Sequence, residues 1–287
     1  FFTKVKVYTS KLEIQDRIKA FKTQNMSIGF VATMGALHQG HLALVKTTLS
    51  QNEIAVVSVF VNPTQFNNQE DLDKYPRTLE RDLTLLKTVS VDKILVFAPT
   101  VDAIYGNKTM SEQFDFDGLE FEMEGKFRHG HFDGVGTIVK KLLEIIKPNR
   151  AYFGEKDFQQ LQIIKKLAEK HSIPSEIIGC KIHRETSGLA MSSRNERLKE
   201  TYKNEASFIY KILKAAKAKF GTKSAKKITE WVSKQFAENE LLELEYFIIA
   251  DEQTLKPVKR KSNKKTYRAF IAVYADDIRL IDNIALN

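Results

Sequence analysis

Ile28-Gly29-Phe30-Val31-Ala32-Thr33-Met34-Gly35-Ala36-Leu37-His38-Gln39-Gly40-His41 carries the most specific pattern in the chain. Residues 28–32 are the apolar run of a short strand, and 41–50, with Leu42, Val45 and Leu49 on one side, has the spacing of a helix. Between them, Gly35 and Gly40 let the backbone turn tightly and a ligand come close. The helix start near His41 aims unpaired N–H groups at that ligand, and phosphate is their natural guest. His38 and His41, three residues apart, can point to one side and donate to the oxygens of a pyrophosphate leaving group. Two other readings stand beside this one. The first is a metal cluster joining His38 and His41 to His129 and His131, although the i, i+4 spacing and nearby carboxylate usual for helical zinc are missing. The second is a structural glycine turn with incidental histidines.

Outward from this stretch the alternation continues. Residues 54–61 are apolar nearly throughout, as a strand covered on both faces should be, and a polar loop over 62–75 leads to a helix around 77–88 and a strand over 93–97. After an irregular stretch holding 114–124, Val135, Ile138, Leu142 and Ile145 mark a helix ending before Pro148, followed by strand 150–153, helix 157–170 and strand 176–182. Strand and helix in strict turn predict an α/β fold: a Rossmann-like, doubly wound parallel sheet with helices on both faces and ligands at the carboxyl ends of the strands. Beyond Arg194 the pattern changes to helical stretches over 204–220 and 224–238 and strand-like runs over 244–250 and 268–274. A second, smaller α+β domain is expected at 184–287, after a nucleotide-binding domain over 1–183.

Three more segments carry chemistry. Gly154-Glu155-Lys156-Asp157 again joins a strand to a helix. Lys156 supplies a mobile cation for phosphate oxygens, and Asp157 either takes a ribose hydroxyl or caps the helix that follows. Gln160, one turn on, has an amide suited to the same cavity. Met191-Ser192-Ser193-Arg194-Asn195 lies at the domain junction, where Ser193 with Glu196 reads as a capping box. That leaves Ser192 and Arg194 as the hydroxyl and guanidinium of a loop that closes over a triphosphate. Asn62-Pro63-Thr64-Gln65 ends a buried strand; its amides suit a carboxylate substrate, and Asn-Pro also simply makes a turn.

Composition bounds the rest. The 287 residues are 43% apolar, enough for one large domain with a smaller companion. No apolar run has the length of a membrane span, residues 1–10 do not read as a signal peptide, and the single cysteine, Cys180, fits a reducing compartment; a cytoplasmic protein is expected. The net charge of +9 comes from late lysines, Lys211 to Lys227 and Lys256 to Lys265. Aromatic residues are not interleaved with them as a nucleic-acid stacking platform requires, so solvated faces are the reading, with RNA binding as the rival.

In order and separation these segments resemble the pantoate–β-alanine ligase (pantothenate synthetase) family of the nucleotidyltransferase superfamily, whose H-x-G-H signature is shared with class I aminoacyl-tRNA synthetases. Asp71 to Thr78, Gly130 to Val135 and Phe153 to Gln160 match as well. The resemblance implies ATP as substrate, held by Met34, Gly35, Ala36, Leu37, His38, Gln39, Gly40 and His41, by Gly154, Glu155, Lys156 and Asp157, by His183, and by Met191, Ser192, Ser193 and Arg194. It implies pantoate and β-alanine at Met34, Asn62, Gln65 and Gln160, with His38, His41, Lys156 and Arg194 as the catalytic groups. It further implies Mg²⁺ bridging phosphate oxygens, a homodimer, and neither nucleic acid nor membrane as partner. The metal's protein ligands are not legible, Asp82 being a guess. Ala32, His129, Ser187 and His183 depart from the family pattern.

Overall fold

The computed structural model describes residues 4–66 and 68–287, and the chain divides into two compact units, residues 1–155 with 159–181 and residues 156–158 with 182–287. The first unit is built on strands β1 (Lys6–Tyr8), β2 (Ile28–Thr33), β3 (Ile54–Val59), β4 (Ile94–Phe97), β5 (Arg150–Gly154) and β6 (Glu176–Cys180). Its helices are α1 (Lys11–Lys22), α2 (Gln39–Gln51), α3 (Gln69–Lys74), α4 (Leu79–Lys87), α5 (Val101–Tyr105), α6 (Glu124–Phe127), α7 (His131–Ile146) and α8 (Phe158–Lys170). All sheet pairings are parallel, in the order β1-β4-β3-β2-β5-β6. The chain therefore winds outward from β2 through β3 and β4, then returns to the other side of β2 with β5 and β6. Ligands of such sheets bind where that reversal opens a crevice at the carboxyl ends, here beyond Thr33 of β2 and Gly154 of β5.

Residues of β2, β3 and β4 are buried almost without exception, which is why these strands read as continuous apolar runs. Val31, Val57, Val96 and Tyr152 from the sheet pack with Leu42 and Val45 of α2 and Leu86 of α4. Leu37, from the loop after β2, joins the same cluster and pins that loop to the core. Helix α7 ends where Lys147 turns left-handed and its N–H returns to the Leu143 carbonyl, and Pro148 then bars continuation.

Several bounds differ from the sequence reading for local reasons. Helix α2 begins at Gln39, so His38 is its N-cap and His41 lies inside the first turn. The edge strand β1, paired with β4, and the helix α1 precede the region where the alternation is obvious. The irregular stretch after β4 contains the short helices α5 and α6 and a 3₁₀ turn, Leu119–Phe121.

The second unit contains helices α9 (Glu200–Glu205), α10 (Ser207–Phe220) and α11 (Ala225–Ala237) and an antiparallel sheet of β7 (Leu242–Asp251), β8 (Tyr267–Ala275) and β9 (Ile278–Ala285), in that order. Its core joins Ile209, Leu213 and Phe220 of α10 and Ile228 and Val232 of α11 to Ile249, Ile271, Val273 and Leu280 of the sheet. The helical stretch expected over 204–220 is broken at Ala206, and β9 adds a strand beyond the two that sequence suggests. In the basic turn before β8, Lys261 donates to the carbonyls of Phe220 and Lys223, closing the C-terminal end of α10. Among the described residues no helix is long and apolar enough to cross a membrane.

Candidate active site

The loop after β2 has its shape fixed from below. Gly35 and Ala36 are both left-handed, at φ +85° and +50°, and for alanine that conformation costs on the order of 1 kcal/mol or more. Asp82, wholly buried on α4, holds it in place: the Ala36 N–H donates to one carboxylate oxygen at 3.0 Å, the Leu37 N–H to the other at 2.8 Å, and the Thr78 hydroxyl to the latter at 3.2 Å. Burial pushes the Asp82 carboxyl above the usual range, while the Leu37 N–H, the Thr78 hydroxyl, the Ala36 N–H and the Arg81 charge pull it back. Three of the carboxylate's roughly four acceptor sites are thereby engaged, and Asp82 positions the loop.

The histidine pair caps α2. His38 Nδ1 accepts from the Gly40 N–H at 3.1 Å, and His41 Nδ1 accepts from the His38 N–H at 3.3 Å, an imidazole version of the reciprocal capping box. A neutral imidazole accepts only through its unprotonated nitrogen, so each ring carries its proton on Nε2 and has a donor there. The ring centroids are 4.0 Å apart. Two N–H donors thus accompany the N-terminus of a thirteen-residue helix, where backbone amides and the helix dipole already favour an anion. His131, which the rival metal-cluster reading joins with His129 to His38 and His41, meets the Gln65 carbonyl at 2.9 Å. Among the described residues no group of three or more His, Cys, Asp or Glu side chains is placed to hold a metal.

Gln65 is where several constraints meet. Its amide nitrogen donates to the Met34 sulfur at 2.8 Å, and its side-chain oxygen accepts from Asn62 at 3.1 Å. Its carbonyl takes His131 and, at 3.4 Å, Arg128. Asn62 is 1% exposed, and all four of its hydrogen-bonding positions are used: it donates to Gln65 and to the Gly134 carbonyl, and accepts from Thr64 at 3.2 Å and Tyr105 at 2.6 Å. The Asn62 amide is thus engaged within the protein and fixes the Gln65 side chain. Gly134, on α7, explains the close fit. A Cβ there would stand 2.3 Å from the Thr64 carbonyl oxygen and 2.8 Å from the Gln65 Cα, both backbone atoms that cannot swing away. Gly134→Ala is expected to push the 62–65 turn off α7, costing roughly 1–3 kcal/mol in stability by overpacking. Denaturant melts check it, and an unchanged midpoint would show that the turn yields to the added methyl without cost.

The remaining sequence candidates divide between the units. Gly154 ends β5 and Glu155 follows it in the first unit, and Gln160 lies half-buried on α8 beside Gln159, whose buried amide is spent on the Leu119 and Glu122 carbonyls. Lys156 and Asp157 belong to the second unit, with the Lys156 ammonium 3.9 Å from the Asp157 carboxylate. His183 and Arg194 are exposed there, and the chain between them folds back on itself: the Met191 N–H reaches the His183 carbonyl at 3.0 Å and Arg184 bridges Ala190. The capping serine is Ser192, not Ser193. Ser192 precedes the 3₁₀ turn Ser193–Arg197 and its hydroxyl accepts from the Arg194 N–H at 3.2 Å, so one serine's presence is explained by the turn alone. Burial and the Glu155 charge push the Cys180 thiol up to about 11, away from the thiolate form.

A doubly wound parallel sheet whose central loop offers two imidazole donors at a helix N-terminus defines a nucleotide-using α/β enzyme. The model of the pantoate–β-alanine ligase family matches residues 6–285. Pantothenate synthetase of Flavobacterium psychrophilum is 58% identical over 280 residues, covering 98% of this chain and 99% of its own, and that of Christiangramia forsetii is 57% identical over 283 residues, covering 99% and 100%. The crystal structure of pantothenate synthetase from Thermus thermophilus superposes with a TM-score of 0.89 at 35% identity, over 98% of this chain and 99% of that one. A Francisella tularensis pantoate–β-alanine ligase, solved with a β,γ-ATP compound and β-alanine, gives 0.79 at 35% identity over 98% of each chain. The chain belongs to the pantoate–β-alanine ligase family and is an ATP-dependent ligase.

Proposed function

We propose that this chain condenses pantoate with β-alanine to pantothenate, through a pantoyl-adenylate, releasing AMP and pyrophosphate. In the first step a pantoate carboxylate oxygen attacks the α-phosphorus of ATP in line; the bond to the β-phosphate bridge breaks and pyrophosphate departs. In the second, the β-alanine amine attacks the acyl carbon, the bond to the adenylate oxygen breaks, and the nitrogen sheds a proton. No enzyme nucleophile is needed, so the residues bind, orient and neutralise charge. The observation that carries the reading is the single loop after β2, which presents the Nε2–H donors of His38 and His41 and also places Met34 against Gln65.

In this proposal His38, His41, Lys156 and Arg194 act on the phosphates, with His41 donating to the departing pyrophosphate. Met34 to His41, Gly154 to Asp157, His183 and Met191 to Arg194 hold ATP. Met34, Gln65 and Gln160 hold pantoate, β-alanine follows near Gln65, and Asn62 orients Gln65. Mg²⁺ arrives with ATP as part of the substrate, since that ion keeps several waters and leans on phosphates more than on dedicated side chains. Asp82 holds the loop through both carboxylate oxygens, and no step is derived through a resident ion. A cytoplasmic setting and a homodimer belong to the same proposal, supported by the family resemblance and, for the compartment, by dependence on ATP.

The test is pyrophosphate exchange into ATP. Exchange is expected with pantoate and not with other hydroxy acids or with amino acids. Exchange driven equally well by another acid would replace pantoate in this reading, and ATP-independent RNA binding with a steep salt dependence would favour the late lysines as the functional surface.

A further inference from the structure

Asp282 and Asn283 are adjacent on β9 and only 4% and 2% exposed, an unusual place for two polar side chains. Successive side chains of a strand project to opposite faces, so one dipeptide can grip two segments at once. Asn283 donates its amide N–H to the Lys156 carbonyl at 2.9 Å, and its side-chain oxygen accepts from Arg268 at 2.7 Å. Arg268 is itself held by Glu252 at 2.8 Å, and its guanidinium lies 3.9 Å from the centre of the Phe158 ring, which also packs on Phe270. Asp282 receives both arms of Arg184, at 2.6 and 2.9 Å. Arg184 further donates to the Gly188 carbonyl at 3.1 Å and lies 3.7 Å over the Tyr210 ring, closing the turn that runs into Met191 to Arg194. All of these residues lie within the second unit, including Lys156 and Phe158.

We infer that Asp282 and Asn283 are positioning residues for ATP activation: Asn283 sets the backbone from which the Lys156 ammonium reaches phosphate, and Asp282 sets, through Arg184, the segment bearing Ser192 and Arg194. Neither touches substrate. The inference rests on the proposed role of Lys156 and deepens it: two stretches proposed to bind ATP and far apart in sequence, 156–157 and 191–194, share one mount within the second unit. A bidentate arginine–carboxylate pair and an amide bridge are rigid, directional contacts, which suits positioning better than a packed apolar pair would. A backbone carbonyl held at 2.9 Å also limits the arc available to its own side chain.

The experiment is a double-mutant cycle in the full-length chain, read by pantoate-dependent pyrophosphate exchange. Asn283→Asp keeps an acceptor for Arg268 but turns a carboxylate oxygen on the Lys156 carbonyl. It is expected to lower turnover about tenfold, on the scale of misplacing one electrostatic contributor, with the KM for pantoate unchanged within about twofold. Added to Lys156→Ala it should cost nothing further. Asn283→Gln, whose longer side chain keeps an amide N–H able to donate to the Lys156 carbonyl, should recover part of the lost turnover, and it supplies the cycle if the aspartate variant melts too early to assay. Losses that multiply in the double variant, wild-type turnover in Asn283→Asp, or equal losses in both variants that track the fall in Tm would each mark a merely structural role and overturn the inference. Near-normal turnover in Lys156→Ala would instead sink the role of Lys156 itself, and this proposal with it.

Discussion

Replacing His41 by alanine is expected to lower turnover by about a hundredfold or more, the scale of losing one acid–base or electrostatic contributor. The structural cost should be small by comparison. His41 contributes one side-chain acceptor to the first turn of α2, for the His38 N–H at 3.3 Å, and losing such a cap costs about 1 kcal/mol. The capping contact uses Nδ1, whereas the proton proposed to reach pyrophosphate is on Nε2, so the two roles separate within one ring. Pyrophosphate release and a thermal melt on the same preparation distinguish them: a folded variant with near-normal turnover would refute the catalytic assignment. His38→Ala should lose more stability, because His38 is the N-cap itself and accepts from the Gly40 N–H at 3.1 Å.

Asp82→Ala should give the largest loss of stability among these variants, roughly 3 kcal/mol. Its carboxylate takes three hydrogen bonds, two of them from backbone amides of a left-handed turn. Leaving a buried donor unsatisfied costs about 1–3 kcal/mol, and here two are orphaned together. Relief of the desolvation that raises the carboxyl's proton affinity offsets part of that loss, which is why the sum stays near the lower bound. Asp82→Asn should fall between, since an amide can satisfy one N–H and must turn its own donor toward the other. Turnover should drop in both variants, because the loop that carries the histidines is no longer held. A urea midpoint for Asp82→Ala equivalent to less than about 0.5 kcal/mol of destabilisation would show that the loop keeps its shape unaided.

Much of the sheet is legible in the sequence because its strands are covered on both faces. Ile54–Val59 and Ile94–Phe97 read as apolar runs, the one polar side chain among them, Ser58, being buried and hydrogen-bonded to Thr33. The glycine turn is legible because Gly35 takes φ +85°, and the histidine pair because its spacing lets the two rings cap the first turn of α2. What escapes is set by distant partners. β1, Lys6–Tyr8, is an edge strand whose lysine and tyrosine make it look like solvent-facing chain, and only β4 makes it a strand. β9 escapes because Asp282 and Asn283 interrupt the apolar pattern, and those two residues are the ones with the most to hold. Asp82 leaves a trace: an acid on the stripe formed by Leu79, Leu83 and Leu86 is out of place unless something buried needs it. The serine cap lies one residue earlier than expected because spacing favours Ser193 while the backbone becomes helical only after Ser192.

The path of the chain between the two units bears on how this protein can be taken apart. Residues 156–158 group with the second unit although 155 and 159 belong to the first, so the polypeptide crosses over three times instead of once. A truncation after residue 181 would therefore amputate a body while keeping three of its residues, stranding Phe158 without Arg268 and Phe270. Chimaeras that exchange the C-terminal unit with a homologue should transplant 156–158 along with it, because Lys156 is, in ownership, a residue of the part being replaced.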